Sequence, residues 1–259
     1  MNPPVSPTKA LTVDALAVRV YANAADLVAA AACEARSALQ TALNTRGAAA
    51  AILATGNSQL QFLDALIRLG GIDWSKVTLF HMDEYLGIAA SHPASFIRYL
   101  RERVESKVRP KTFHYIAGNS LEPIKECERY DALLKAQPID LCCLGVGENG
   151  HLAFNDPPVA DFADRHWVKI VGLDETNRKQ QAGYGHFKSL DDVPRYGITL
   201  TIPALVAASK VLCLAPGKQK AQIIKQTLQG PLNAACPASC LRTQKQAVLL
   251  LDVDSASSL

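Results

Sequence analysis

The feature that most constrains the fold is an almost wholly apolar run, Ile139 to Leu144, that passes directly into a glycine-rich polar loop. A strand without polar alternation is typical of a parallel sheet covered on both faces. The following loop, residues 145–156, contains three glycines together with His151 and Asp156. Since α/β enzymes place reactive side chains after such strands, the run predicts an α/β fold with a functional site here. A tight turn alone would also explain the glycines.

The rest of the chain alternates helical and strand patterns. Strands are expected at 49–54, 77–82, near Phe113, and at 139–144, 167–171, 198–201, 211–214 and 247–251; helices are expected at 24–43, 59–69, from Pro93, at 122–136, at Ala204 and at 218–228. This alternation predicts a doubly wound, mainly parallel sheet with helices on both faces. Without a recognisable linker, a single domain over residues 1–259 is simpler than two small ones, and the Pro-rich residues 1–10 are expected to be loose.

Composition and charge exclude several classes of protein. Charged residues make up 20% of the chain, the formal net charge is +3, and no Lys/Arg run exceeds two, which is unlike a nucleic-acid-binding protein. A single small anionic molecule fits that charge balance better. No apolar run is long enough for a membrane span and no signal-peptide pattern is present, so we predict a cytoplasmic protein. The seven cysteines include no CxxC pair and are interpreted as core residues rather than metal ligands or disulfides.

A second polar loop follows the strand at 49–54. Thr55, Gly56, Asn57 and Ser58 begin a helix, where free backbone N–H groups and the helix dipole attract a phosphate. An ordinary helix cap would explain the same segment. Strand ends lie along one edge of such a sheet, so this loop is expected to converge with the first.

Two adjacent carboxylates, Asp83 and Glu84, follow the strand at 77–82. Adjacent side chains project differently, so we expect at most one to face a substrate while the other makes a structural contact. Lys220 begins a helix after another strand and would add positive charge beside a phosphate, although a solvated position is the commoner role for a lysine. His81 lies inside its strand and is expected to satisfy a core hydrogen bond.

These loops resemble those of the glucosamine-6-phosphate deaminase family, within the group that includes the 6-phosphogluconolactonases. The similarity covers roughly residues 25–251, and its most specific parts are Met82-Asp83-Glu84-Tyr85, His92-Pro93-Ala94-Ser95-Phe96 and the run from Gly145 to Pro157. The lactonases typically have Asp-Glu-Arg where this chain has Asp83-Glu84-Tyr85. The deaminase branch is therefore the nearer match.

The resemblance implies conversion of a 2-amino-2-deoxyhexose 6-phosphate, glucosamine 6-phosphate first, into a ketose 6-phosphate and ammonia, with no metal and no cofactor. His151 would open the pyranose ring, which suits an imidazole because it exchanges protons near neutral pH. Asp156 would orient His151, and Asp83 would move the proton from C2 to C1. The implied substrate- and phosphate-binding residues are Thr55, Gly56, Asn57, Ser58, Lys220, Gly147 and Gln181, with Glu84 in support.

The chain departs from the family pattern at three points. Asn149 stands where the family usually has an Asp two positions before the His, and Asp156 stands where a Glu is common. Gln181 stands where a substrate-binding Arg is expected in a lid segment, and Arg178 is either a substitute for that Arg or a surface residue. The support for His151 is therefore expected to be weaker than usual.

Two alternative functions stay open: the first belongs to the same group of enzymes, and the second is suggested by the departures at Asn149 and Gln181. A 6-phosphogluconolactonase would use His151 as the base on water and would need no carboxylate at C2. A non-catalytic sensor would bind amino-sugar phosphates without releasing ammonia. The chain ends at Leu259 without the basic, aromatic extension of allosteric members, so no activator site is expected, and the oligomeric state, with a homo-oligomer among the options, is left open.

Overall fold

The computed structural model describes residues 5–183, 185 and 187–259, except for the side chain of Asn57. The strands are β1 (Lys9–Val13), β2 (Leu16–Tyr21), β3 (Ala49–Leu53), β4 (Val77–His81), β5 (Asp83–Tyr85), β6 (Thr112–His114), β7 (Leu141–Gly145), β8 (Val168–Gly172), β9 (Tyr196–Leu200), β10 (Lys210–Leu214) and β11 (Ala247–Asp252). The α-helices are α1 (Ala24–Arg46), α2 (Asn57–Leu69), α3 (Phe96–Leu100), α4 (Ser106–Val108), α5 (Pro123–Lys135), α6 (Glu175–Gly183), α7 (Ile202–Val206) and α8 (Ala221–Gln229). A π-helical turn, Arg101–Glu105, joins α3 to α4, and 3-10 turns occupy Trp74–Lys76, Lys218–Lys220 and Pro237–Thr243.

Eight strands form the main sheet in the order β1-β2-β11-β10-β7-β3-β4-β6. All neighbouring strands are parallel except β1 and β2. From β3 the chain moves outward to β4 and β6, whereas β7, β10 and β11 lie on its other side. The strand order therefore reverses between β3 and β7, and a switch point of this kind opens a crevice at the carboxyl ends of the strands.

Both faces of the main sheet are buried. Leu27 of α1 and Phe62 of α2 pack on one face, and Tyr130 of α5 and Ile224 of α8 pack on the other. Every residue of β3 is buried as a result, which explains its continuous apolar sequence. The predicted doubly wound, mainly parallel sheet with helices on both faces is confirmed.

A small second sheet departs from the prediction of one sheet. Its three strands lie in the order β5-β9-β8 and are antiparallel. Residues 83–85, expected as a loop, form its first strand, and the segments expected at 167–171 and 198–201 belong to it rather than to the main sheet. Apolar runs predict strands but do not identify their partners, so the sequence could not separate the two sheets.

The prediction that residues 1–10 form a loose segment is wrong for residues 8–10. Lys9 begins β1, and the preceding Thr8 donates its backbone N–H to the carbonyl oxygen of Val20 at 2.8 Å. Leu11 and Val13 pack against the core, with the two-residue alternation of a strand covered on one face. No helix in the described residues has the length and apolar character of a membrane span.

Candidate active site

A cleft of about 770 Å³ opens at the carboxyl ends of β3, β4, β7 and β10. The predicted site residues that line it are Thr55, Gly56, Ser58, Asp83, Gly147, His151, Gln181 and Lys220. Glu84, Asn149 and Asp156 are not among its lining residues, and the side chain of Asn57 lies outside the described residues. The structure therefore brings Asp83 and His151 to one shared opening.

The His151 imidazole is held by acceptors on one side. Its Nδ1 lies 2.7 Å from Oδ1 of Asn149 and 3.0 Å from Oδ1 of Asp156. The Asn149 Nδ2 group faces the carboxylates of Asp156 at 3.0 Å and Asp174 at 3.4 Å, which fixes its amide oxygen toward the imidazole. Because both Nδ1 partners accept, Nδ1 carries the proton and Nε2 is left to accept one.

Asp156 is fully buried behind the imidazole. Burial acts to raise the pKa of its carboxyl group, but hydrogen bonding and the charge of His151, together with hydrogen bonds from Asn149 and Asn177, lower that pKa below its usual value. Asn177 donates Nδ2 to both carboxylate oxygens at 3.1 Å, and the backbone N–H of Asp174 donates at 3.3 Å. The ionised carboxylate can therefore orient the imidazole and stabilise its protonated form.

Sequence reasoning missed Asp174 and Asn177. The Asp174 carboxylate accepts the backbone N–H of Asn177 at 2.8 Å, which is a cap at the start of α6. An Asp followed three residues later by Asn at a helix start is a detectable capping signal. Nothing in the sequence pattern says that the cap points toward a carboxylate 18 residues earlier in the chain.

Gly147 leaves the space that the imidazole occupies. A Cβ atom at this position would lie 2.2 Å from Cε1 and 2.3 Å from Nδ1 of His151. The backbone N–H of Gly147 also donates to the carbonyl oxygen of His151 at 2.9 Å. The glycine is therefore required by close approach rather than by a positive φ angle.

Asp83 reaches the same cleft from the small sheet, where its backbone pairs with Thr199. The residue is 7% exposed. Burial, and after it the negative charge of Glu84, raises the pKa of the Asp83 carboxyl group well above its usual value. A carboxylate with a raised pKa is a more effective base than a solvated one.

Glu84 points away from the cleft and holds the start of α3. Its carboxylate oxygens accept hydrogen bonds from the backbone N–H groups of Tyr85 at 2.9 Å, Phe96 at 3.3 Å and Ile97 at 3.1 Å, and from Ser95 Oγ at 2.7 Å. Burial raises the pKa of Glu84, while these hydrogen bonds act to lower it. Only Asp83 of the adjacent pair faces the opening, as expected from their different directions.

The N-terminus of α2 and Lys220 form the cationic part of the cleft. Gly56 precedes the helix with a φ of 94°, a backbone conformation that favours glycine. The Tyr99 hydroxyl donates to the Gly56 carbonyl oxygen at 3.3 Å and supports this turn. Burial lowers the pKa of Lys220. The lysine ammonium and the helix N-terminus, with the Ser58 hydroxyl, provide donors for an anion.

The two roles left open for Arg178 are now distinguished. Its guanidinium donates to the carbonyl oxygens of Leu190 at 2.6 Å and Val193 at 3.0 Å, and it does not line the cleft. It is therefore a structural residue of the α6 region and does not replace a substrate-binding Arg. Gln181, from the same helix, does line the cleft.

His81 serves the core, as predicted. Its Nε2 accepts the backbone N–H of Ile116 at 2.8 Å, and burial lowers its pKa to about 3.

All seven cysteines are free thiols, and six of them are buried. No group of three or more His, Cys, Asp or Glu side chains in the described part of the chain is arranged to hold a metal ion.

Fold and site together define a doubly wound α/β protein whose cleft combines a helix N-terminus, a buried carboxylate and a carboxylate-supported imidazole. Residues 22–250 match the family model described as "Glucosamine-6-phosphate isomerases/6-phosphogluconolactonase". The chain belongs to this family.

Relatives and solved structures agree with this assignment. The chain is 35% identical over 207 residues to glucosamine-6-phosphate deaminase of Listeria monocytogenes serovar 1/2a, covering 80% of this chain and 86% of the relative. It is 36% identical over 213 residues to the deaminase of Shewanella woodyi, with 80% and 79% covered. A solved monomeric glucosamine-6-phosphate deaminase superimposes with a TM-score of 0.86 at 28% identity, covering 93% and 99%. A 6-phosphogluconolactonase from Thermotoga maritima shares the fold, with a TM-score of 0.73 at 21% identity, covering 91% and 98%.

Proposed function

We propose that this protein converts a 2-amino-2-deoxyhexose 6-phosphate, glucosamine 6-phosphate in the first instance, into the ketose 6-phosphate and ammonia. The observation that carries the proposal is that Asp83 and His151 line one cleft with Thr55, Gly56, Ser58 and Lys220. The deaminase relatives, at 35% and 36% identity, support the same reaction.

His151 performs the ring opening. With Nδ1 protonated, Nε2 accepts the proton of the anomeric hydroxyl group, and the resulting imidazolium gives a proton to the ring oxygen as the C1–O5 bond breaks. The ionised Asp156 stabilises that imidazolium. Asn149 contributes a neutral acceptor at 2.7 Å instead of a second negative charge.

Asp83 performs the isomerisation on the open-chain aldehyde. Its carboxylate removes the proton from C2, which the adjacent carbonyl group acidifies, and returns it to C1. The C1 oxygen gains the proton that the C2 ammonium group gives up, so that C1 carries a hydroxyl group and the nitrogen is part of an iminium group at C2. Water then adds at C2, and ammonia leaves to give the ketose. The raised pKa of Asp83 suits a group that must both take and return a proton.

The phosphate group anchors the substrate at the other end of the cleft. Backbone N–H groups at the start of α2 and the Lys220 ammonium bind it, and this fixes C1 and C2 against the reacting groups. We propose that the reaction uses only these protein groups.

The function is tested with three substrates in parallel: glucosamine 6-phosphate, galactosamine 6-phosphate and 6-phosphogluconolactone. Ammonia, ketose phosphate and acid are measured in each reaction. We expect ammonia and ketose 6-phosphate in equal amounts from an amino-sugar phosphate. Acid release from the lactone, with no ammonia from either amino sugar, would contradict the proposal and identify a lactonase. Binding of a sugar phosphate without turnover would contradict it and identify a sensor.

An Asp83→Asn variant provides the second test. Removal of the base should lower the deamination rate by about 10² to 10⁴-fold, whereas hydrolysis of a lactone by His151 would survive. Asp191→Asn, an exposed change outside the cleft, is the matched control and should keep full activity. Full ammonia release by Asp83→Asn would contradict the assigned role.

A further inference from the structure

Asn177 lies on α6 and is fully buried against the carboxylate that supports the imidazole. Its Nδ2 group donates to both oxygens of Asp156 at 3.1 Å, while Oδ1 of the same carboxylate lies 3.0 Å from Nδ1 of His151. A single side chain thus connects α6 to the centre that we assign to ring opening.

Asn177 uses the NH₂ group of its side-chain amide and not the amide oxygen. Its Oδ1 is buried and has no hydrogen-bond partner among the described residues. An unsatisfied buried acceptor costs roughly 1–3 kcal/mol, so an apolar side chain would serve better if the position were needed only for packing. The two carboxylate contacts explain why a donor stands here.

The start of α6 adds to the same contact. The backbone N–H of Asp174 donates to Oδ2 of Asp156 at 3.3 Å. The Asp174 carboxylate in turn accepts the backbone N–H of Asn177 and so caps the helix. Both donors to Asp156 from this helix are therefore fixed by its first turn. Further along α6, Gln180 and Gln181 line the cleft, so the helix that walls the cleft also holds Asp156.

We propose that Asn177 is a positioning residue for ring opening: it holds the Asp156 carboxylate oriented against Nδ1 of His151, and so couples the docking of α6 to the action of the imidazole. The role of Asn177 in ring opening rests on the proposed function. Its contact with Asp156, and the effect of that contact on the pKa of Asp156, do not. Asn177 touches neither the cleft nor a substrate position and acts only through Asp156.

The groups that surround Asp156 determine the direction in which its pKa should change when Asn177 is replaced. The titratable groups in this network are the His151 imidazole and, across the Asn149 amide, the Asp174 carboxylate; Asn149 and Asn177 are neutral donors. Removing the Asn177 donors removes a contribution that lowers the pKa of Asp156. The carboxylate will then bind a proton at higher pH.

The test that needs no substrate follows the Asp156 carboxyl carbon by NMR during a pH titration, with the resonance assigned from Asp156→Asn. In Asn177→Leu, which keeps the volume and removes the donor, the Asp156 titration should move upward by about one pH unit or more. Lys179→Leu, an exposed change on the same helix, should leave it in place. An unchanged titration in Asn177→Leu overturns the inference.

Kinetics supply the second readout. Asn177→Leu should lower kcat about tenfold or more with little change in KM, and the acidic limb of the kcat profile should move to higher pH. In an Asp156→Asn background the same change should have little further effect, because the partner is already gone. Independent, multiplying losses would overturn the inference.

Two further results separate the possible failures. If Asn177→Leu does not fold, the isosteric Asn177→Asp replaces it; two facing carboxylates must then share a proton, so one titration should rise further still. If wild-type protein releases no ammonia from any amino-sugar phosphate, the proposed function fails, while the NMR titration still decides the role of Asn177.

Discussion

At the scale of single residues, Gly147 offers the sharpest test of the site geometry. A methyl group in Gly147→Ala would occupy the space of the His151 ring, 2.2 Å from Cε1. The imidazole must then move from its acceptors, and we expect the deamination rate to fall by about a hundredfold. The measurement is steady-state ammonia release together with thermal unfolding.

Gly172→Ala is the matched control for that change. A Cβ atom at Gly172 would meet only Tyr196 Cε1, at 4.0 Å, and the residue lies in β8, where an alanine fits. Its activity should equal that of wild type. A fully active Gly147→Ala variant would show that the imidazole does not need its present position.

His81 yields a prediction about stability rather than activity. Its pKa is about 3 in the fold, against 6.5 for an ordinary histidine, so the unfolded chain binds a proton more readily than the native one. The stability from this group is complete above pH 6.5 and is lost as the pH falls toward 3. Relative to His81→Gln, the wild-type free energy of unfolding should decrease by about 1.4 kcal/mol per pH unit in this window.

Urea unfolding at a series of pH values measures that difference. Gln at position 81 retains an acceptor for the backbone N–H of Ile116 but cannot titrate. If the free energies of unfolding of the two proteins change with pH in the same way, the pKa of His81 is not lowered in the fold and the prediction is wrong.

Residue chemistry was predictable wherever a side chain follows an apolar strand closely in sequence. Asp83, His151 and Lys220 satisfy that condition, and the structure brings all three to one cleft. Asn177 was missed because the strand before its helix, β8, belongs to the small antiparallel sheet, and the sequence did not separate that sheet from the main one. Its contact with Asp156 spans 21 residues and depends on tertiary packing.

At the scale of elements, Glu84 connects β5 to the start of α3 through three hydrogen bonds and accepts a fourth from Tyr85 within β5. In Glu84→Gln, one oxygen is replaced by an NH₂ group that faces donors, so the free energy of unfolding should fall by about 1–3 kcal/mol. The negative charge that helps to raise the pKa of Asp83 also disappears. In the proposed reaction Asp83 acts as an ionised base, so the acidic limb of activity should move to lower pH.

The direction of this shift distinguishes Glu84 from Asn177, whose loss moves the limb upward. Glu122→Gln is the matched control, because Glu122 is exposed and pairs only with Lys125 among the described residues. It should change neither stability nor the pH profile. An upward shift in Glu84→Gln would show that its charge does not act on Asp83.

Elements with a strong internal pattern were predictable, and elements defined by their partners were not. The apolar runs of β3, β7 and β10 and the amphipathic α2 and α8 could be assigned from the sequence. The three-residue β5 is too short to carry a periodic signal, and it exists because β9 pairs with it. The same limit explains the missed edge hairpin of β1 and β2.

At the scale of the whole molecule, the cleft depends on the meeting of two sheets. The main sheet provides the loops after β3, β7 and β10, and the small sheet provides Asp83. The fold class could be predicted because alternating strands and helices permit few topologies. The second sheet could not, because it depends on long-range antiparallel pairing of β5, β8 and β9.

Because the cleft joins parts distant in the chain, a bound sugar phosphate should stabilise the whole molecule. At a free concentration of about 100 times Kd, binding adds about 2.7 kcal/mol, which for a chain of this size raises Tm by about 5–10 °C. Glucosamine without phosphate should give little shift, since the anion contacts at α2 and Lys220 are then unused. Differential scanning fluorimetry with glucosamine 6-phosphate, under conditions of slow turnover in Asp83→Asn, measures the effect.

Lys220→Ala in the same Asp83→Asn background identifies the source of that stabilisation. The Lys220 side chain lines the cleft, so its loss should remove most of the Tm shift at equal ligand concentration. Lys225→Ala, an exposed lysine on α8, should retain the full shift. If glucosamine and its 6-phosphate raise Tm equally, or if Lys220→Ala responds like Lys225→Ala, the phosphate binds elsewhere. The orientation that places C1 and C2 between Asp83 and His151 would then be wrong.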